Sequence, residues 1–307
     1  MNNCVLRTIN LSKKYQDDFV LNNVNLTIKK GDIYGFIGQN GAGKTTLIRI
    51  ATGLAFPTNG DVELFGDGSE MGLINSRKRI GTIIEGPALF PNMTAQQNLE
   101  IHRIQKGIPG KGCIKKTLDL VGLSDTGRKK VKDFSLGMKQ RLGLAMALIG
   151  DPEFLILDEP INGLDPTGII EIRELLKRLN REKGITILIS SHILGELYHL
   201  ANCYGIIHNG KLIEQLTLKE LDKKCKKHLR IKVDDVSKAA TIIETQLGTS
   251  QFEVMPDSII KLYEYLDDLG RVSSVLAANG LIIEEFMPMG DDLESYFTRL
   301  IGGVSNE

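Results

Sequence analysis

"GDIYGFIGQNGAGKTTLIRIATGL", residues 31–54, decides the fold. Asp32–Ile37 is a short apolar run suited to a buried strand. The octapeptide that follows, Gly38-Gln-Asn-Gly-Ala-Gly-Lys-Thr45, matches G-x-x-x-x-G-K-[ST] residue for residue. Gly38, Gly41 and Gly43 let backbone N–H groups turn inward around phosphate oxygens, where a Cβ would obstruct them. Asn40 within the loop and Thr46 just after it belong to the same cradle. Lys44 supplies a point charge to β- and γ-phosphates, and the Thr45 hydroxyl is placed for Mg²⁺. A helix starting near Lys44 aims the positive end of its dipole at the same anion. A plain glycine-rich turn is the alternative; Lys-Thr in a strand-loop-helix setting favours the phosphate cradle, although the motif names no reaction.

Further along, "FLILDEP", residues 154–160, puts four apolar residues ahead of Asp158 and Glu159. A continuous apolar run of this kind suits a strand covered on both faces, as in a parallel α/β sheet. Ligands in such sheets gather at the carboxyl ends of the strands, where these two carboxylates emerge. Asp158 is suited to hold Mg²⁺, and Glu159 to orient and deprotonate a water attacking a γ-phosphate. In isolation the pair could be an acidic turn after a core strand. Together with the phosphate loop, the catalytic reading prevails.

The segment between these two sites contains "FSLGMKQRLGLAMALIGDP", residues 134–152. Phe134, Ser135, Leu136, Gly137 and Met138 resemble the LSGGQ signature of ABC-transporter ATPases, and "KQRLGLAMAL" continues it in the usual way. "NGLD", Asn162–Asp165, resembles the D-loop of that family, and His192, after the β-branched run Ile185–Ile189, resembles its switch histidine. Tyr15 in "LSKKYQDD" stands where the family places an aromatic ring on adenine, with Phe19 as a nearby competitor. The resemblance covers roughly residues 4–220, with the motifs in family order, which is far more specific than any one motif. Taken alone, Ser135 could be only a helix cap, His192 a satisfied core histidine, and Tyr15 a turn residue.

The resemblance implies an α/β P-loop NTPase with a RecA-like core, an antiparallel β subdomain and a helical signature subdomain at about 87–150. Within it, Ser135 and Gly137 of one subunit, with Asp165, would complete the ATP site held on the phosphate loop of another. One phosphate loop and one signature make one nucleotide domain, residues 1–218. It should therefore work as a homodimer, or beside a related ATPase subunit, around two ATP molecules. His192 would sense the γ-phosphate, and hydrolysis at Glu159 would release a closed pair. Separate integral-membrane permease subunits would turn that cycle into transport.

Composition agrees with a soluble protein. The 38 basic and 38 acidic residues balance, which leaves no overall field to draw nucleic acid. Cys4, Cys113, Cys203 and Cys225 form no CxxC pair and suit a reducing compartment. No apolar run approaches the roughly 18 residues that span a bilayer, and the N-terminus lacks a signal-peptide layout. The expectation is a cytoplasmic protein, peripheral on the inner face of the membrane.

After about residue 218 the nucleotide-domain pattern ends. A lysine cluster (Lys219, Lys223, Lys224, Lys226, Lys227) reads as a solvated helix face, with lipid headgroup contact as the minor alternative. From "HLRIKV" to "LIIEEFM" the order is β-α-β-β-α-β, the ferredoxin-like arrangement, followed by a last helix in "DLESYFTRLI". Residues 219–307 are expected to form a small α+β accessory domain without chemistry of its own.

"GTIIEGPALFPNMT", residues 81–94, departs from the general family pattern, because Glu85 stands where most members carry a glutamine that reaches Mg²⁺ and the attacking water. With residues 134–166 it resembles the bacitracin-resistance and lantibiotic-protection subgroup, whose ATPases serve ABC-2-type permeases. Export of, or self-protection against, antimicrobial peptides is the expected function. Another ABC-2 exporter of drugs, ions or polysaccharides is the alternative, and a non-transport ATPase acting on ribosomes or DNA the more distant one. Glutamate offers Mg²⁺ a harder, charged oxygen at the same reach, so Glu85 is expected to keep the metal-sensing role and make closure more dependent on Mg²⁺.

Overall fold

In the computed structural model, which describes residues 3–192, 194–225, 227–289 and 293–304, the chain divides into two units, Met1–Leu218 and Lys219–Glu307. In the first, an antiparallel sheet comes from β1 (Cys4–Tyr15), β2 (Asp18–Val24), β3 (Thr27–Lys29) and, after β4 (Ile33–Ile37) and α1 (Lys44–Thr52), from β5 (Asn59–Leu64). Strands β2, β3 and β5 each pair antiparallel with β1.

Then come α2 (Glu70–Arg77), β6 (Ile80–Ile83), and the helical region α3 (Ala95–Gln105), α4 (Gly112–Leu120) and α5 (Leu136–Leu148). The second half of the core is β7 (Phe154–Asp158), α6 (Pro166–Lys183), β8 (Thr186–Ser191), α7 (Leu194–Tyr198), β9 (Cys203–His208) and β10 (Lys211–Thr217). A six-stranded sheet has the order β10-β9-β4-β8-β7-β6. All its pairs are parallel except β10 with the neighbouring β9.

Every residue of β4, β7 and β8 is buried, including the polar Asp158, Thr186, Ser190 and Ser191, so these strands are covered on both faces. Parallel register aligns Asp158 with Ser190 and Ile37 with Ser191. The phosphate loop, the acidic pair and His192 therefore leave the sheet at the same edge.

Helix α1 lies in the cluster that joins the two sheets. Leu47, Ile48, Ile50 and Ala51 belong to the same buried cluster as Leu6, Leu21 and Ile28 of the antiparallel strands and Phe36, Phe154 and Leu188 of the parallel ones. Burial on this scale fixes the helix, and with it the loop at its N-terminus. In the helical region, Thr94 and Gln97 make a reciprocal capping box at the start of α3. Helix α5 lies flush on β6: a Cβ at Gly81 would stand 2.2 Å from the Ala147 carbonyl oxygen, and one at Gly143 2.4 Å from Pro87 Cβ.

The second unit contains α8 (Leu218–Lys224, whose first residue belongs to the first unit), β11 (His228–Val233), α9 (Val236–Ile242), β12 (Phe252–Met255), β13 (Ile259–Leu262), α10 (Leu269–Ala278), β14 (Ile283–Met289) and α11 (Leu293–Val304). Helix α9 runs on into a π-helical turn at Ile243–Leu247. The sheet order is β12-β13-β11-β14, antiparallel throughout. Leu229, Ile231, Val233, Ile260 and Leu262 form its core with Ile242, Val272 and Leu276 of α9 and α10. Of the lysine cluster expected near this start, Lys226 lies outside the described residues, as does Asp292 at the beginning of the last helix.

Candidate functional site

Gly43 caps the N-terminus of α1 at φ +109°, a conformation that L side chains rarely adopt. A Cβ there would also lie 2.7 Å from the Val20 carbonyl oxygen. Gly41, at φ +83°, has open space around it. The loop is thus left-handed where it must turn and bare where an anion would approach. Asn40 is exposed in this turn and Thr46 half-buried in the first turn of α1.

Lys44 is 5% exposed, so its ammonium needs partners close by. Nζ donates to the carbonyl oxygens of Gly38 at 2.6 Å and Gln39 at 3.3 Å, and stands 3.4 Å from Glu159 Oε1. That carboxylate oxygen is buried and has no hydrogen-bond donor. The other, Oε2, is 2.8 Å from His192 Nδ1. Because an ionised carboxylate only accepts, His192 donates from Nδ1, and in the neutral ring Nε2 is left as an acceptor.

Glu159 sits at φ +50°, a sparsely populated region for a side chain of this kind. Its backbone N–H holds it there by donating to Ser190 Oγ at 3.0 Å and to the Ser190 carbonyl at 3.2 Å. Surroundings that over-determine a residue in this way are what let such strain persist at functional sites. Ser190 Oγ in turn donates to Asp158 Oδ1 at 2.5 Å, while Thr45 Oγ1 donates to Asp158 Oδ2 at 2.8 Å. Asp158 is 4% exposed, and both its oxygens are engaged.

Thr45 Oγ1 and Asp158 Oδ2 are two hard oxygens within hydrogen-bond distance across the phosphate loop. Mg²⁺ is held by few protein oxygens, with water and phosphate completing its shell. These residues fit such an ion.

The structure thus brings Lys44, Thr45, Asp158, Glu159 and His192 into one cluster. Glu85 is not part of it. Its Oε1 lies 2.5 Å from Arg49 Nη2, its side chain is 61% exposed, and among the described residues no hydrogen bond joins it to Thr45 or Asp158. Ser135 is exposed and caps α5 by accepting from the Met138 N–H at 3.3 Å, with Gly137 in the first turn. Asp165 is exposed and caps α6, accepting from the Gly168 N–H at 3.2 Å. The Tyr15 ring is 46% exposed with Lys13 Nζ 5.0 Å from its centroid, and the Phe19 ring is 45% exposed with Lys14 Nζ at 4.3 Å.

Two residues of the site escaped the sequence reading. Ser190 links the two carboxylate residues, and the "SSH" preceding the ring was its only trace. Arg49 holds Glu85 and stands four residues after Thr45, the spacing of one helix face.

Comparison with known proteins adds to this geometry. The family model described as ABC transporter matches residues 21–162. The chain is 44% identical, over 97% of its length and 98% of the other's, to the bacitracin transport ATP-binding protein BcrA of Bacillus licheniformis. It is 48% identical, over 68% of its length and 89% of the other's, to the lantibiotic transport ATP-binding protein SrtF of Streptococcus pyogenes. Among solved structures it is similar to a dimeric ATP-binding cassette in a post-hydrolysis state, bound to ADP and Pi. There the TM-score is 0.63 at 27% identity, over 69% of this chain and 98% of the other.

Proposed function

The chain belongs to the ABC transporter family of ATP-binding proteins, and from that premise we propose that it is the ATP-hydrolysing subunit of an exporter driving efflux of, or self-protection against, antimicrobial peptides such as bacitracin or lantibiotics. The 44% identity to a bacitracin transport protein, along almost the full length of both chains, carries this reading.

ATP enters with its phosphates on the N–H groups of Gly38–Thr46 and on the dipole of α1. Lys44 exchanges its contacts with Gly38, Gln39 and Glu159 for the β- and γ-phosphates. Thr45 and Asp158 would hold Mg²⁺, which when bound neutralises charge on the phosphates. Glu159, freed from Lys44, takes a proton from the attacking water as its oxygen bonds to the γ-phosphorus. The bond from that phosphorus to the β-γ bridging oxygen breaks, and ADP and inorganic phosphate leave. His192 holds Glu159 in line through Nδ1 and carries the signal of an intact γ-phosphate.

Residues 1–218 act as the nucleotide-binding domain, paired with a second copy or a related ATPase subunit, so that Ser135, Gly137 and Asp165 of one face the ATP of the other. The dimeric cassette to which the fold is similar supports that pairing. Tyr15 stacks on the adenine. The membrane path belongs to separate permease subunits and the protein works from the cytoplasmic face, a reading supported by the transport ATP-binding proteins to which the chain is similar. Residues 219–307 are a ferredoxin-like accessory domain, a reading supported by the β11-α9-β12-β13-α10-β14 order and the strand order β12-β13-β11-β14.

Deleting the gene should raise sensitivity to bacitracin or a lantibiotic, with restoration by the wild-type gene and not by Glu159→Gln. Unchanged sensitivity to both classes would overturn the peptide reading. ATP hydrolysis by the purified chain, lost in Glu159→Gln, tests the enzymatic part independently.

A further inference from the structure

The Arg49–Glu85 pair lies beside the site and takes no part in the cluster around Asp158 and Glu159. It has four notable properties. First, it is short, at 2.5 Å, yet open to solvent: the Arg49 side chain is 39% exposed and that of Glu85 61%. A screened pair of this kind forms and breaks at small cost. Second, Arg49 and Thr45 are four residues apart on α1, hence on one face and about 6 Å apart along the axis. The same helix face thus reaches Asp158 through Thr45 and Glu85 through Arg49.

Third, Glu85 follows β6, and the parallel register sets Ile83 opposite Leu157, so Glu85 and Glu159 each lie two residues further on at neighbouring strand ends. Fourth, Glu85 sits at φ +59° and Gly86 at φ +117°, with open space around Gly86. This is a strained turn with room to re-aim the side chain.

A carboxylate at the strand end next to that of Glu159 is eased by a counter-charge, and arginine supplies one that never titrates away. We propose that Arg49 is a positioning residue that holds Glu85 apart from the Thr45–Asp158 pair, and that Glu85 exchanges Arg49 for the metal when nucleotide and Mg²⁺ load. The inference rests on the nucleotide-site reading above. Its consequence is a built-in threshold: every loading event must first break the pair, so Arg49 raises the Mg²⁺ concentration at which the site engages.

The test is thermal unfolding of the full chain with the non-hydrolysable β,γ-imido analogue of ATP, titrated with Mg²⁺ from an EDTA baseline. Wild type, Arg49→Ala, Arg49→Lys, Glu85→Gln and the Arg49→Ala/Glu85→Gln double variant are compared. Arg49→Ala should lower the Mg²⁺ midpoint of nucleotide stabilisation by about two- to fivefold, the range expected for releasing an exposed pair. Arg49→Lys should stay near wild type, and Arg49→Ala should do nothing further once Glu85→Gln is in place. Arg49→Gln serves the same arm if Arg49→Ala melts too early. An unchanged midpoint, or an Arg49→Ala shift of equal size with and without Glu85→Gln, overturns the proposal, since Arg49 would then act without Glu85. Absence of any Mg²⁺-dependent stabilisation in wild type would overturn the nucleotide-site reading itself, and this proposal with it.

Discussion

At the scale of single residues, the site is a chain of contacts running from Lys44 through Glu159 to His192, with Asp158 held between Thr45 and Ser190. On the proposed mechanism Glu159→Gln keeps the shape and loses the base, so ATP hydrolysis should fall by about 10²- to 10⁴-fold while ATP affinity stays within a few-fold. A steady-state assay beside a binding titration checks both. Lys44→Ala should instead weaken ATP binding by about tenfold or more, because a charge-assisted contact is lost. Ser190→Ala removes the hydroxyl that accepts from the Glu159 N–H and donates to Asp158. It should cost about 1–3 kcal/mol in denaturant unfolding, together with much of the hydrolysis rate. The sequence singled out Lys44, Thr45, Asp158, Glu159 and His192 by residue type at motif spacing, and the structure brings them into one cluster. Ser190 and Arg49 were not legible in it, because a serine or an arginine suits many surroundings and only the partner gives it a role.

At the scale of elements, the strands β4, β7 and β8 could be read from their apolar stretches, residues 33–37, 154–157 and 187–189, since a parallel strand covered on both faces leaves no polar alternation. The start of α1 was legible from the same logic, glycines where the loop must turn and a lysine where the helix begins. What could not be read is how closely elements approach. Helix α5 touches β6 and the segment after Glu85 through Gly81 and Gly143. Gly143→Ala should therefore force Pro87 aside and destabilise the chain by about 1–3 kcal/mol, seen as an earlier unfolding midpoint. The π-helical turn that ends α9, Ile243–Leu247, was likewise hidden, because "TIIETQL" has an ordinary helical pattern and the extra residue per turn is decided by packing.

At the scale of the whole molecule, the proposed cycle has two copies closing around ATP. Glu159→Gln with ATP and Mg²⁺ should roughly double the mass seen by light scattering if the pair is a homodimer, and EDTA should reverse it. A bulky Ser135→Arg should abolish the shift; because Ser135 also caps α5, the chain without nucleotide should lose about 0.5–2 kcal/mol of stability, so Ser135→Ala, which removes the cap without the bulk, is the control. The order of motifs along the chain was enough to determine the family and the ATPase chemistry, because each motif states a local requirement of backbone or charge. The tertiary structure alone decided which groups meet. Thr45 reaches Asp158 across 113 residues of chain and Glu159 takes its hold from Ser190, 31 residues on. Glu85, which the sequence pointed toward the metal, is paired with Arg49. Such contacts depend on strand order and register, and these are set by the packing of the whole core, which no local stretch encodes.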